Sequence, residues 1–241
     1  MATLFISDLH LDPRRPAITT LFLDFLERRA AKAKALYILG DLFEAWIGDD
    51  DDGVLGRQVA AALKTLSQRG VPVYLLHGNR DFLLGEGFAA LSGVRLLPET
   101  VVIDLYATPT LILHGDTLCT DDVNYQAFRA QVRSPAWQTR ILALPLTQRR
   151  AMASQLRAES QQATQQKAAD ITDINPDAVA RALEEHGVRR LIHGHTHRPA
   201  IHDWERNGEA LQRIVLGDWY EQGSVLAYDA TGPRLENLPL R

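Results

Sequence analysis

The sequence predicts an α/β fold carrying an inserted helical segment, and three observations predict it. Eight short apolar runs recur along the 241 residues, amphipathic stretches separate several of them, and one long interval holds no glycine. Continuous apolar runs of four or five residues read as strands buried on both faces. Their alternation with helical patterns marks a layered α/β domain.

Taken in order, TLFIS (3–7) opens the chain as a strand, and the amphipathic stretch 17–33 follows as a helix. ALYIL (35–39), a helix over 54–69 and VYLL (73–76) repeat that alternation. VVIDL (101–105) and TLILH (110–114) are strands, as are RLIHG (190–194), RIVLG (213–217) and SVLAY (224–228), with a helix over 177–186. The later strands follow one another closely, so part of the sheet system is expected to be antiparallel. Between Thr117 and His186 lies none of the sixteen glycines, and Ala, Gln, Arg and Leu are abundant there. Those are good helix formers, and Ser134-Pro135 and Leu144-Pro145 supply natural breaks or helix starts. Residues 121–175 therefore read as a helical cap inserted into a core made of 1–120 and 176–241.

Composition narrows the classes. The single cysteine, Cys119, excludes an intramolecular disulfide framework and fits a reducing compartment. The start, MATLFISDLHLD, reaches Asp8 too soon for a signal peptide, and no stretch approaches the roughly 20 apolar residues that span a bilayer. A soluble, cytoplasmic protein is expected, one able to lie on a membrane surface. From Val123 to Lys167 seven basic residues face the single acid Glu159, a local charge of +6. With a net charge of −4, the rest of the chain carries −10, which suggests two regions with different jobs. No continuous basic stripe with interleaved aromatic residues occurs outside the cap, so nucleic acid is not an expected partner.

Five strand ends carry the same polar punctuation. They are Asp8-Leu-His10, Gly40-Asp41, Gly78-Asn79, His114-Gly-Asp116 and His193-Gly-His195-Thr-His197. Functional residues in open α/β sheets collect beyond the carboxyl ends of strands. Any one Gly-Asp is usually only a turn, and a lone histidine is more often structural than a ligand. Four of eight histidines, His10, His114, His195 and His197, beside acids or Asn79 at strand ends are another matter. Carboxylates, imidazoles and an amide oxygen without thiolate suit Mn²⁺, Fe²⁺ or Zn²⁺. The ligands outnumber what one ion needs, which points to two ions sharing a carboxylate, a device for phosphoryl hydrolysis.

The ordered set D-x-H, G-D, G-N-R-D, H-G-D and G-H-T-H resembles the calcineurin-like metallophosphoesterase superfamily. That resemblance implies a four-layer α/β/β/α sandwich with a dinuclear centre. One ion would take Asp8, His10, Asp41 and His197; the other would take Asp41, Asn79, His114 and His195, with Asp41 bridging. Asp81 would stand behind them, supporting a ligand. The strings FISDLHLD, ILGDLFEAWIGDD, LLHGNRDFLLG, LHGDTLCTDD, RAESQQATQQKAADITDINP and LIHGHTHRP further resemble the UDP-2,3-diacylglucosamine pyrophosphatases of bacterial lipid A biosynthesis, essentially end to end. This second resemblance implies hydrolysis of UDP-2,3-diacylglucosamine to UMP and 2,3-diacylglucosamine 1-phosphate, with two Mn²⁺ ions, peripherally on the cytoplasmic face of the inner membrane. Substrate contacts would come from Asn79, Arg80, Asp122, Ser160, Thr164, Lys167 and His195. Arg157 joins them from helix spacing, since it precedes Ser160, Thr164 and Lys167 on one face.

Attack on the α-phosphorus by a metal-held hydroxide would follow, with Asp41, Asn79, Arg80 and His195 as the catalytic group. Arg80 stands where many members of the superfamily have His; a sugar-phosphate leaving group needs little protonation, and a forked cation grips phosphate better. Phe128, Val132, Trp137, Ile141, Leu142, Leu144, Leu146, Met152 and Leu156 among basic residues suit an acyl slot and an anionic membrane surface; the bland reading is that they pack the cap helices together. No obligate protein partner is expected. The rival readings are another dinuclear-metal phosphodiesterase or nucleotide hydrolase, and a non-catalytic scaffold of the same fold, which would be expected to have lost ligands.

Overall fold

The computed structural model describes residues 1–166 and 173–240, with the backbone alone at 161 and 163–166. The strands are β1 (Thr3–Ile6), β2 (Ala35–Leu39), β3 (Val73–Leu76), β4 (Arg95–Leu96), β5 (Thr100–Asp104), β6 (Pro109–Leu113), β7 (Arg190–His193), β8 (Ala200–Arg206), β9 (Glu209–Val215), β10 (Gln222–Asp229) and β11 (Gly232–Pro239). The helices are α1 (Pro16–Arg28), α2 (Val54–Gln68), α3 (Glu86–Ser92), α4 (Val123–Val132), α5 (Pro135–Leu142), α6 (Leu146–Gln166) and α7 (Pro176–Glu185).

Side-chain alternation along the strands builds the layers. Leu4 and Ile6 of β1, with Leu36 and Ile38 of β2, face α1 and α2 in one core, where Phe22, Phe25 and Leu63 meet them. Their strand neighbours Phe5 and Leu39 point the other way, against Ile112, Ile192 and Ile214 of the second sheet. Leu111 and Leu113 of β6 and Leu191 of β7 turn outward onto Val179 and Leu183 of α7. A period of two residues thus feeds three apolar layers, and helices, sheet, sheet and helix stack in that order. Each leucine or phenylalanine so buried contributes about 2 kcal/mol before entropy is counted.

The first sheet runs β11-β10-β1-β2-β3-β4 and the second β5-β6-β7-β9-β8. The strands β1, β2 and β3 are mutually parallel, as are β6, β7 and β9, while β10–β11, β8–β9 and β5–β6 pair antiparallel. The predicted helix over 17–33 ends at Arg28, and a 3₁₀ turn fills 30–32. The structure adds β4, β8, β11 and α3, which the apolar runs did not announce.

The glycine-free interval forms α4, α5 and α6. Asp122 caps α4 by accepting from Tyr125 N–H, and Ser134 caps α5 by accepting from Trp137 N–H ahead of Pro135. Asn175 caps α7 in the same way, accepting from Asp177 and Ala178 with Pro176 at the first helical position. Among the described residues, no helix is long and apolar enough to cross a membrane.

Candidate metal centre and the cleft above it

Every predicted ligand follows a strand that ends at one place. Asp8 and His10 follow β1, Asp41 follows β2, Asn79 follows β3, His114 follows β6, and His195 and His197 follow β7. Five of them, Asp8, His10, Asp41, His195 and His197, have positive φ between 48° and 70°. Only eight non-glycine residues do so among the described ones, so left-handed backbone is concentrated where chemistry is expected. The turns are held by a ladder: Asp8 N–H donates to Gly40 O (3.1 Å), His10 N–H to Asp41 O (2.9 Å) and Leu11 N–H to Leu42 O (3.0 Å). Two glycines are required by close approach. A Cβ on Gly78 would stand 2.0 Å from Asp41 Oδ1, and one on Gly194 2.3 Å from Asp8 Oδ2.

Each buried carboxylate is anchored through one oxygen and presents the other. Asp8 Oδ2 accepts from Ser7 Oγ (2.5 Å) and His195 N–H (2.9 Å), whereas Oδ1 is buried without an aligned hydrogen bond, 3.3 Å from His197 Nε2 and 3.9 Å from His10 Nε2. Asp41 Oδ1 accepts from Arg80 N–H (2.8 Å), and Oδ2 lies 3.7 Å from both His10 Nε2 and His114 Nε2. Asn79 Oδ1 faces His114 Nε2 (3.0 Å) and His195 Nδ1 (3.1 Å). Nε2 of His10 and Nε2 of His197 face each other at 3.4 Å, an arrangement that calls for a shared proton or cation.

This donor set fits divalent metal. Asp8, His10 and His197 form one group of converging ligand atoms and Asp8, Asp41 and His114 another, so two ions are accommodated side by side. The outer imidazole nitrogens of three of these histidines have an acceptor within reach, as ligating histidines require. His114 Nδ1 donates to Leu39 O (2.8 Å), His197 Nδ1 lies 3.4 Å from Asp218 Oδ2, and His10 Nδ1 lies 3.2 Å from Glu44 Oε2.

The electrostatics agree. Burial would raise the Asp8 carboxyl, but its contact with His197 and the nearby His114 and His10 outweigh that and hold it far below the usual range. Burial dominates at Asp41 and raises it. Burial, reinforced by His114, depresses His195 to about 3, so its imidazole is neutral at pH 7 and has a lone pair to give.

Asp81 lies behind the ligands and braces them through the backbone. Its fully buried carboxylate accepts from Leu42 N–H (2.7 Å), Gly78 N–H (2.8 Å) and Asp41 N–H (3.3 Å). It holds the ligand-bearing backbone rather than a ligand side chain.

Above the centre opens a cleft of about 900 Å³, shared by the metal-site residues and the cap. Arg80, Asp122, Arg157 and Ser160 line it, as do Phe128, Val132, Trp137, Ile141, Met152 and Leu156. Leu142, by contrast, is exposed. Arg80 offers Nη2 to Ser160 Oγ at 3.4 Å, while its Nε is buried with no hydrogen-bond partner among the described residues. Lys167 lies outside the described residues, as does the side chain of Thr164.

The basic cap meets acidic core. Arg149, 3 % exposed, donates to Ile47 O (2.7 Å), Leu144 O (2.9 Å) and Asp50 Oδ1 (2.7 Å). Arg150 pairs with Asp51 and Asp52, Arg129 with Glu99 and Asp116, and Arg157 with Glu44. Much of the +6 segment is therefore bound to the −10 remainder, and the charge division pairs the cap with the core.

Sequence reasoning passed over Glu44, Tyr125 and Asp218. Tyr125 donates to Asp116 Oδ2 (2.8 Å) and stacks near His195, ring centroids 6.1 Å apart. Asp218 carried a legible signal, since Gly217-Asp218 ends a strand run with the same punctuation as Gly40-Asp41.

Residues 1–199 match the family described as calcineurin-like phosphoesterase. A UDP-2,3-diacylglucosamine hydrolase of Stenotrophomonas maltophilia is 57% identical over 245 residues, covering 99% of each chain. One of Escherichia coli O7:K1 is 56% identical over 239 residues, covering 99% of this chain and 100% of its own. The solved structure of a novel archaeal phosphodiesterase, 12% identical, superposes with a TM-score of 0.50 over 99% of this chain and 100% of its own, a likeness of fold alone.

Proposed function

Since the chain belongs to the calcineurin-like phosphoesterase family, we propose that it hydrolyses the pyrophosphate of UDP-2,3-diacylglucosamine, releasing UMP and 2,3-diacylglucosamine 1-phosphate. One observation carries the reading: a two-ion donor set opens into a cleft lined both by arginines, Arg80 and Arg157 among them, and by apolar side chains of the cap. A charged diphosphate joined to two acyl chains combines the same two chemistries. The end-to-end likeness to UDP-2,3-diacylglucosamine hydrolases supports the substrate.

We assign one ion to Asp8, His10, Asp41 and His197 and the other to Asp41, Asn79, His114 and His195; Mn²⁺ suits this oxygen and nitrogen set. When bound, such a pair neutralises phosphoryl oxygens and acidifies water near neutral pH. Arg80 and Arg157 grip the pyrophosphate, and Ser160 positions Arg80 from the cap side. Water adds to the α-phosphorus beside the uridine, and the bond to the bridging oxygen breaks. The leaving sugar phosphate is a stable anion, so Arg80 serves by holding charge rather than by giving a proton. His195, neutral at pH 7, has a lone pair available for the ion it would hold. The apolar wall around Trp137 and Ile141 takes the acyl chains, with residues 121–175 acting as the cap. Such a substrate places the protein at the cytoplasmic face of the inner membrane, held there by the lipid and by apolar cap residues exposed beside the cleft.

The test is a panel assay with Mn²⁺, comparing UDP-2,3-diacylglucosamine with UDP-N-acetylglucosamine and bis-p-nitrophenyl phosphate. UMP release from the diacylated substrate at much the highest kcat/KM is expected. Equal rates on all three would refute the assignment.

A further inference from the structure

Glu44 touches both halves of the site. It lies three residues beyond Asp41, and its backbone N–H donates to Leu11 O (3.1 Å), next to His10. A parallel bridge between Leu11 and Phe43 clips the same two segments together. The side chain is 12 % exposed and lines the cleft. Its two oxygens divide: Oε2 lies 3.2 Å from His10 Nδ1, and Oε1 pairs with Nε of Arg157 in α6.

The direction of the His10 ring gives this contact its meaning. Nε2 faces Asp8, Asp41 and His197, so it is the nitrogen that would hold metal. A neutral imidazole ligating through Nε2 carries its proton on Nδ1 and needs an acceptor there. That nitrogen is buried with no aligned hydrogen bond among the described residues, and Glu44 Oε2 lies within reach as an acceptor. On the other side, a guanidinium has five N–H donors, so pairing through Nε leaves Arg157 able to bind phosphate while fixing where its fork points. An isolated ion pair at the surface would contribute little. This pair is half-buried and shares its carboxylate with a metal-site imidazole.

We propose that Glu44 is a positioning residue that sets the His10 ring and tautomer with one oxygen and the Arg157 fork with the other, so that metal loading and phosphate capture by the cap share one carboxylate. The inference rests on the assignment of His10 as a metal ligand and Arg157 as a phosphate contact.

The two roles separate with two substitutions. Glu44→Ala removes both contacts; Glu44→Gln keeps an oxygen able to accept from Nδ1–H but loses the charge that holds Arg157. Mn²⁺ binding to chelator-stripped protein is measured by calorimetry, thermal melting checks the fold, and KM is measured for UDP-2,3-diacylglucosamine. Glu44→Ala is expected to weaken one Mn²⁺ by about tenfold and to raise KM. Glu44→Gln is expected to hold Mn²⁺ within about threefold of the wild-type value, yet to raise KM as Arg157→Ala does. Wild-type Mn²⁺ affinity and wild-type KM in Glu44→Ala overturn the proposal. Failure of the underlying reading would appear in the wild-type chain itself, as absent Mn²⁺ binding, and would take the proposal with it.

Discussion

Arg149 offers the sharpest test of how the cap is held. Replacing it with alanine removes a guanidinium that is 3 % exposed and leaves Ile47 O and Leu144 O, at 2.7 and 2.9 Å, without their donor. Each abandoned carbonyl costs about 1 kcal/mol or slightly more. Asp50 is 59 % exposed and recovers water, so its pairing adds no more than about 1 kcal/mol. Leu144 belongs to the cap with Arg149, so only Ile47 and Asp50, which lie in the core, count toward docking. Their loss comes to about 2 kcal/mol, which corresponds to a roughly 30-fold shift in the equilibrium between docked and detached cap. Hydrogen exchange should accelerate about 30-fold in α5 and α6 while β1, β2 and β3 keep their protection. KM should rise, and Mn²⁺ affinity should stay unchanged. Arg149→Lys should fall between, since one ammonium cannot serve two carbonyls and a carboxylate in fork geometry. Unchanged exchange in the cap, or equal acceleration across the sheet, would refute the latch.

Gly78→Ala would set a Cβ 2.0 Å from Asp41 Oδ1 and 2.3 Å from its N–H nitrogen. Calorimetry should find fewer than two Mn²⁺ per chain, and hydrolysis should drop by about 100-fold or more. Asp81→Asn takes a charged acceptor from three backbone N–H groups and should cost about 2–3 kcal/mol in urea denaturation; a loss under about 0.5 kcal/mol would contradict its bracing role. Cys119 is buried, and burial with the neighbouring Asp116 and Asp173 pushes its thiol up to about 12. At pH 8 only about one thiol in ten thousand is ionised, so a disulfide reagent should stay silent on folded protein and report one thiol in urea. Rapid reaction of the folded chain would show that the thiol is accessible.

The strands and their polar ends were legible because both signals are local. A run such as ALYIL needs only its own side chains to announce a buried strand, and a glycine beside an aspartate announces the turn. The strands that escaped, β8 (AIHDWER) and β11 (GPRLENLP), sit at sheet edges with much of their surface exposed, so they lack an apolar run. The two residues of β4 are too few to read. Charge division along the chain was visible, but its use was not. Arg149 finds Asp50 across 99 residues, and nothing local to either names the other. Glu44 was invisible for the same reason: its partners lie at His10 and Arg157, and three-residue spacing after Asp41 carries no motif. Asp122 and Ser160 line the cleft, and Asp122 also caps α4.

The central claim is hydrolysis at the α-phosphorus by a two-ion centre. Chelator-stripped protein titrated with Mn²⁺ in ¹⁸O-water, with UDP-2,3-diacylglucosamine as substrate, tests it most directly. Activity should saturate at two Mn²⁺ per chain with one ¹⁸O in UMP and none in the lipid phosphate. Label in the lipid phosphate, or full activity without bound metal, would contradict the account.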